Sequence, residues 1–185
     1  INKLPVNLLI PGKIEAEAFS VNNGLVLETT TDAGGGKNVG YTNTGDYLDY
    51  RVRVIKSAKY TIEVRAACYI ASGKIEVQQI NLSGTVINSV QVVIPVTGGW
   101  QTWQTFTASI DLAEGVCTIR VKILQPEFNL NWFRFTENSF GIEENENLVF
   151  SISPNPATDQ VSVFVPGTLG KEKAVALYSS AGLLV

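Results

Sequence analysis

The chain has 185 residues, of which 45% are apolar and 17% charged, enough to bury one good core and too hydrophobic for global disorder. It contains no histidine and two cysteines, which excludes His-based triads, His-ligated zinc and histidine general bases, so any metal must be a hard cation held by oxygens. A net charge of -3 gives no footprint for nucleic acid or an anionic membrane, and no apolar run is long enough for a membrane span.

The chain opens without a methionine or a signal peptide and reads as a mature or excised fragment. In "KIEAEAFS" (13–20), Glu15 and Glu17 stand two apart; on a strand they share one face, so two like charges converge. Three readings of the pair stay open: a solvated acidic edge, a calcium site, or a glycosidase acid/base pair. "TTTDAGGGKNVGYTNTGDYLDY" (29–50) carries three consecutive glycines, which predict a tightly folded loop leading into Tyr41. No helix follows to make it a phosphate cradle. Tyr47 and Tyr50 differ by an odd number and face opposite sides of one strand.

From there β-type runs dominate: 47–55, 59–70, 74–80, 85–96, 100–112, 115–124 and 130–137. They mostly alternate apolar with polar residues and are separated by Gly, Ser and Thr turn material. No stretch holds a helical period, so the fold class predicted is all-β, a sandwich of two antiparallel sheets in a jelly roll. In "TGGWQTWQTF" (97–106), Trp100 follows a Gly-Gly turn and is expected to be exposed, while Trp103, an odd number away, is expected to face inward. Cys68 and Cys117 lie in separate strands. They are either a disulfide worth about 3–5 kcal/mol or two buried thiols that never meet. The segment 138–148 is acidic and Asn-rich and reads as a linker; 149–185 resumes strand patterning as a short C-terminal segment of a truncated second domain.

"IEAEAF", "TTDAGGGKNVGYTNTGDYLDYRV", "YTIEVRAAC", "VTGGWQTWQTF" and "FNLNWFRF", in this order over about residues 10–137, resemble a family 6 carbohydrate-binding module. The resemblance implies a jelly roll that binds polysaccharide without cleaving it, covalently linked to a catalytic domain, a glycoside hydrolase or another extracellular enzyme. It implies a sugar ring held between Tyr41 and Trp100, with Asn129 as hydrogen-bonding partner and Glu28 assisting. Sugar C–H faces stack on aromatic planes, and hydroxyls need directed amide or carboxylate groups. It also implies a structural calcium on Glu15, Glu17, the Lys37 carbonyl and Asn131, where the amide in place of a carboxylate lowers the charge and the affinity. Tyr47 is the matching aromatic of a second cleft found in some members. The tail "PNPATD" (154–159) with "LYSSAGLLV" resembles the C-terminal sorting domain of the type IX secretion system of Bacteroidetes, an export or surface-attachment address. The expected protein is a secreted or cell-surface monomer. A hydrolase working through a carboxylate pair, and an adhesin or matrix domain without a sugar ligand, are the alternatives.

Overall fold

The structure, a computed structural model, describes residues 8–138 and the backbone of residues 151–153 and 162–164. The chain divides into two units between Ser139 and Phe140. In the first, all regular structure is β. Five short strands come first: β1 (Leu8–Ile10), β2 (Gly12–Glu15), β3 (Val21–Asn23), β4 (Val26–Thr29) and β5 (Lys37–Gly40). Seven longer ones follow: β6 (Tyr47–Val54), β7 (Ala58–Cys68), β8 (Gly73–Ile80), β9 (Val86–Ile94), β10 (Trp103–Leu112), β11 (Gly115–Gln125) and β12 (Phe128–Glu137). The second unit has a short antiparallel pair, β13 (Ser151–Ser153) and β14 (Ser162–Phe164). The residues 154–159 on which the sorting-domain reading rests, and 139–148 of the linker, lie outside the described residues.

The long strands fall within a few residues of the period-two runs, because most of their length turns alternate side chains to the core. One sheet has the order β1-β6-β11-β8-β9, with β3 also on β6; the other runs β10-β7-β12-β5-β4, with β2 also on β12. Pairing is antiparallel except for β1 against β6. The inner faces meet in one core whose largest fully buried side chains are Tyr50, Tyr60, Phe128, Phe133 and Phe135. Each such ring contributes about 1.5–3 kcal/mol on leaving water. Tyr50 and Phe133 pack edge-to-face with centroids 4.8 Å apart across the two sheets. The Tyr50 hydroxyl donates to the Ala16 carbonyl at 2.7 Å, so this buried phenol also pins the turn after β2. Burial, then the Glu17 charge, pushes its pKa up and keeps it a donor. Tyr47, of opposite parity, lies half-buried on the outer side of the same strand, as expected.

Two cysteine readings stood open, and the unbridged one holds: both thiols are free and buried. Cys68 ends β7 in one sheet, with Sγ donating to the carbonyls of Ala71 and Glu127 at 2.8 and 3.0 Å. Cys117 lies on β11 in the other sheet, beside the Gln79 amide.

A second correction concerns Trp103. The strand starts at Trp103, not at Trp100, so parity counted from Trp100 has no meaning. The inward side chains of β10 are Phe106, Ala108, Ile110 and Leu112. Trp103 faces the other way, half-buried on the outer face, in a row with Ala67 of β7 and Asn129 of β12. Its indole Nε1 is buried with no hydrogen-bond partner.

Candidate carbohydrate-binding site

Four chain segments meet at one rim of the second sheet. The β5–β6 loop brings Tyr41, Thr42 and Asn43; the β9–β10 loop brings Trp100 and Gln101; the start of β12 brings Glu127, Phe128 and Asn129; and β4 brings Glu28. Together they line an open pocket of about 560 Å³, within the size range of ordinary small-ligand sites. All four residues expected to touch sugar (Tyr41, Trp100, Asn129 and Glu28) line this one pocket.

Each is positioned for a physical reason. Tyr41 sits just past the end of β5 at φ 56°, a left-handed conformation unfavourable for a bulky residue and characteristic of functional loops. That turn carries the phenol out of the strand, leaving the residue 68% exposed, and the Asn43 side chain donates to its carbonyl at 3.3 Å. Trp100 is 38% exposed. Its loop is fastened at Thr97, whose hydroxyl accepts from the Cys68 amide at 2.8 Å, while the Cys68 carbonyl accepts from the amides of Thr97 and Gly98. Gly98 supplies the φ of 99° that this turn needs.

Asn129 does two things. Its Nδ2 donates to the Trp100 carbonyl at 2.9 Å, which leaves Oδ1 as the free acceptor. That oxygen and Glu28 Oε2 both overhang Gly40, where an added Cβ would collide with the two of them. Gly40 is therefore the floor that lets two acceptors approach each other. Gly40→Ala is expected to leave the fold intact, since this glycine needs no left-handed backbone, yet to lower ligand affinity at least about tenfold by displacing both groups. Titration calorimetry beside a melting curve checks the split.

Gln101 escaped the sequence reading, which weighed only the indoles of "WQTWQ". Its Oε1 accepts from the Thr31 amide at 2.8 Å, its Nε2 donates to Asn38 Oδ1 at 3.2 Å, and Asn38 in turn donates to Glu28 at 3.3 Å. This relay ties the Trp100 loop to the glycine-rich loop and orients Glu28.

The residues expected to hold calcium are only partly assembled. β2 ends at Glu15 and the chain turns, so the two-apart strand rule does not apply. Glu15 pairs instead with Lys13 at 2.8 Å. Glu17 reaches the glycine loop: Oε1 accepts from the backbone amide of Lys37 at 3.1 Å, and Oε2 is buried with no partner. Asn131 occupies a β-bulge of β12 between Leu130 and Trp132, which restores Phe133 and Phe135 to the core side. Its Nδ2 donates to Asp32 Oδ2 at 2.8 Å. Among the described residues no three acidic or thiol side chains cluster as a metal site. An orphaned buried oxygen on Glu17 and an amide oxygen on Asn131 suit an oxygen-seeking cation nonetheless.

Asp32 is the anchor of the glycine loop. Its carboxylate forms a two-pronged pair with Arg65 of β7, at 2.7 and 2.8 Å. The Arg65 guanidinium, helped by Asn131, holds its pKa down at about 2.

Tyr47, the candidate for a second cleft, has the Arg120 guanidinium 3.9 Å from its ring centroid. Arg120 is itself clamped to Asp49 at 2.7 and 2.8 Å. One face of Tyr47 is thus taken by a fixed cation.

Residues 15–137 match the family described as carbohydrate binding module (family 6). The clotting factor G alpha subunit of Tachypleus tridentatus is 33% identical over 136 residues, and the alpha-agarase of Alteromonas agarilytica is 26% identical over 157. These alignments cover 73% and 74% of this chain but only 19% and 11% of those proteins. Among solved structures, a module from Cellvibrio mixtus lichenase 5A in complex with cellotriose is 38% identical with a TM-score of 0.63, covering 69% of this chain and 97% of that one. A β-1,3-glucan-binding module from Bacillus halodurans is 34% identical with a TM-score of 0.63, over 70% and 98%. Those two structures are binding modules rather than catalytic domains. With its sandwich fold and the whole of β3–β12 inside the matched stretch, the chain belongs to carbohydrate-binding module family 6.

Proposed function

We propose that this chain binds a neutral polysaccharide, such as xylan or a β-glucan, without cleaving it. One sugar ring lies between Tyr41 and Trp100, with its hydroxyls donating to Glu28 and Asn129. The observation that carries this reading is the pocket itself, which gathers two exposed aromatics and two converging acceptors from distant parts of the sequence. Among the described residues Glu28 and Glu127 are the only charged ones lining it, so uronate or sulfated chains meet repulsion and no cation there. The relatives' alignment with larger enzymes supports a further reading, that the module tethers a linked glycoside hydrolase to its substrate and raises its local concentration. The tail resemblance supports a secreted or cell-surface location. A panel of neutral and anionic glycans tests the proposal: neutral chains are expected to bind and alginate or carrageenan not to, with no new reducing ends. Selective binding of an anionic chain would refute it, and release of reducing ends would favour the hydrolase alternative.

Calcium belongs to the same proposal. Glu17 Oε2 and the Asn131 amide oxygen are the residues' best donors, with Glu15 joining if it leaves Lys13. Such an ion would fasten the turn after β2 to the glycine loop. Saturating calcium, about 100-fold above Kd, is expected to add about 2.7 kcal/mol, read as a rise in Tm that Glu17→Gln abolishes.

A further inference from the structure

Tyr69 lies outside the pocket lining but packs against Trp100, which belongs to it. It is the first residue after β7, 53% exposed, followed by Ile70, 66% exposed. Its ring packs on Trp100 with centroids 5.9 Å apart and planes inclined at 65°, inside the favourable range for an aromatic pair. The neighbouring backbone is not free to drift. Cys68 is stapled to Thr97 and Gly98 through the three backbone-amide hydrogen bonds that fix the Trp100 loop, and its Sγ holds Ala71 on the other side. The phenol and the indole are therefore carried by one cross-linked unit, and an ordered aromatic left half in water invites a flat apolar ligand face.

We propose that Tyr69 is an outer stacking subsite, which takes a second or later sugar of a chain whose first ring sits between Tyr41 and Trp100; this rests on the carbohydrate-binding reading above. Because Tyr69 lies beyond the pocket, it acts on chain length. A disaccharide held inside the pocket never meets it, whereas a longer chain leaving past Trp100 lies against it. Stacking a sugar on one more aromatic ring at a partly exposed position is expected to be worth about tenfold in affinity.

The test is calorimetry with xylo-, cello- and β-1,3-gluco-oligosaccharides of two to six sugars. In any series that binds, wild type is expected to gain affinity with length. Tyr69→Ala is expected to lose about tenfold for the hexasaccharide and less than twofold for the disaccharide, while Tyr69→Phe keeps the gain. An equal loss at every length would overturn the proposal and make Tyr69 a mere support for Trp100, as would no loss at any length. Should wild type and Trp100→Ala be equally silent toward all three series, the underlying reading fails instead. Unchanged melting of the Tyr69 variants, expected for an exposed side chain, separates these outcomes from misfolding.

Discussion

Trp100→Ala is expected to reduce polysaccharide binding by about 30-fold or more, with a melting temperature close to that of the wild type. The indole is one of only two aromatic platforms in the pocket, and truncating a central aromatic anchor costs about 2–4 kcal/mol of binding. Its fold contribution is small, because it sits in a turn after the strands have ended and is 38% exposed. What holds the turn is its backbone with Thr97, Asn129 and Gln101, not the indole. Retardation on polysaccharide affinity gels beside a thermal melt measures both halves. Unaltered retardation would remove Trp100 from the site. Tyr41→Ala has the same direction and a twist of its own. It removes a platform and leaves a smaller side chain at φ 56°, so Tyr41→Gly is expected to lose binding equally while relaxing the backbone.

The largest expected effect on stability away from the aromatic core is Arg65→Ala. It leaves the Asp32 carboxylate, whose side chain is only 6% exposed, without its cation. A folded-state pKa of about 2 against the ordinary carboxylate value of 3.8 corresponds to about 2–3 kcal/mol, in line with the cost of breaking a mostly buried pair. The sign follows from the depression: this stabilisation is fully present above the unfolded value near 4 and is lost as pH falls toward 2. Wild type is therefore expected to exceed Arg65→Ala by this amount at pH 6, with the gap narrowing steadily between pH 4 and pH 2. Denaturant melts across that range measure it, and a gap constant with pH would show that packing, not charge, is lost. Since Asp32 anchors the loop that reaches Gln101 and Glu28, binding is expected to weaken in step.

What the sequence made legible follows from what it encodes locally. Strands of eight to eleven residues, β6 to β12, announce themselves because many alternating positions agree. The five strands up to Gly40 are three or four residues long, too short to display a period, and the pairing of β1 and β3 with β6, and of β2 and β5 with β12, is a long-range matter. Likewise Tyr41, Trp100, Asn129 and Glu28 were legible as chemistry near turn signals. Their meeting in one pocket depends on Gly40, whose missing side chain matters only once Asn129 and Glu28 are brought over it. Trp103 was misread because alternation holds only within a strand, and the boundary fell three residues later than assumed. Asp32 went unread beside the glycines; nothing local tells that Arg65, thirty-three residues on, comes round to grip it.

The course of β12 has one more implication. Asn129 meets the pocket at one end of this strand, and Glu137 lies eight residues on, about 27 Å away at the usual rise. Gly12 is in register with Phe135 near that far end. The start of β2 and the end of β12 therefore lie at the pole opposite the candidate pocket. A catalytic domain joined there, as proposed above, would be attached at one end of the module, with the candidate pocket at the other.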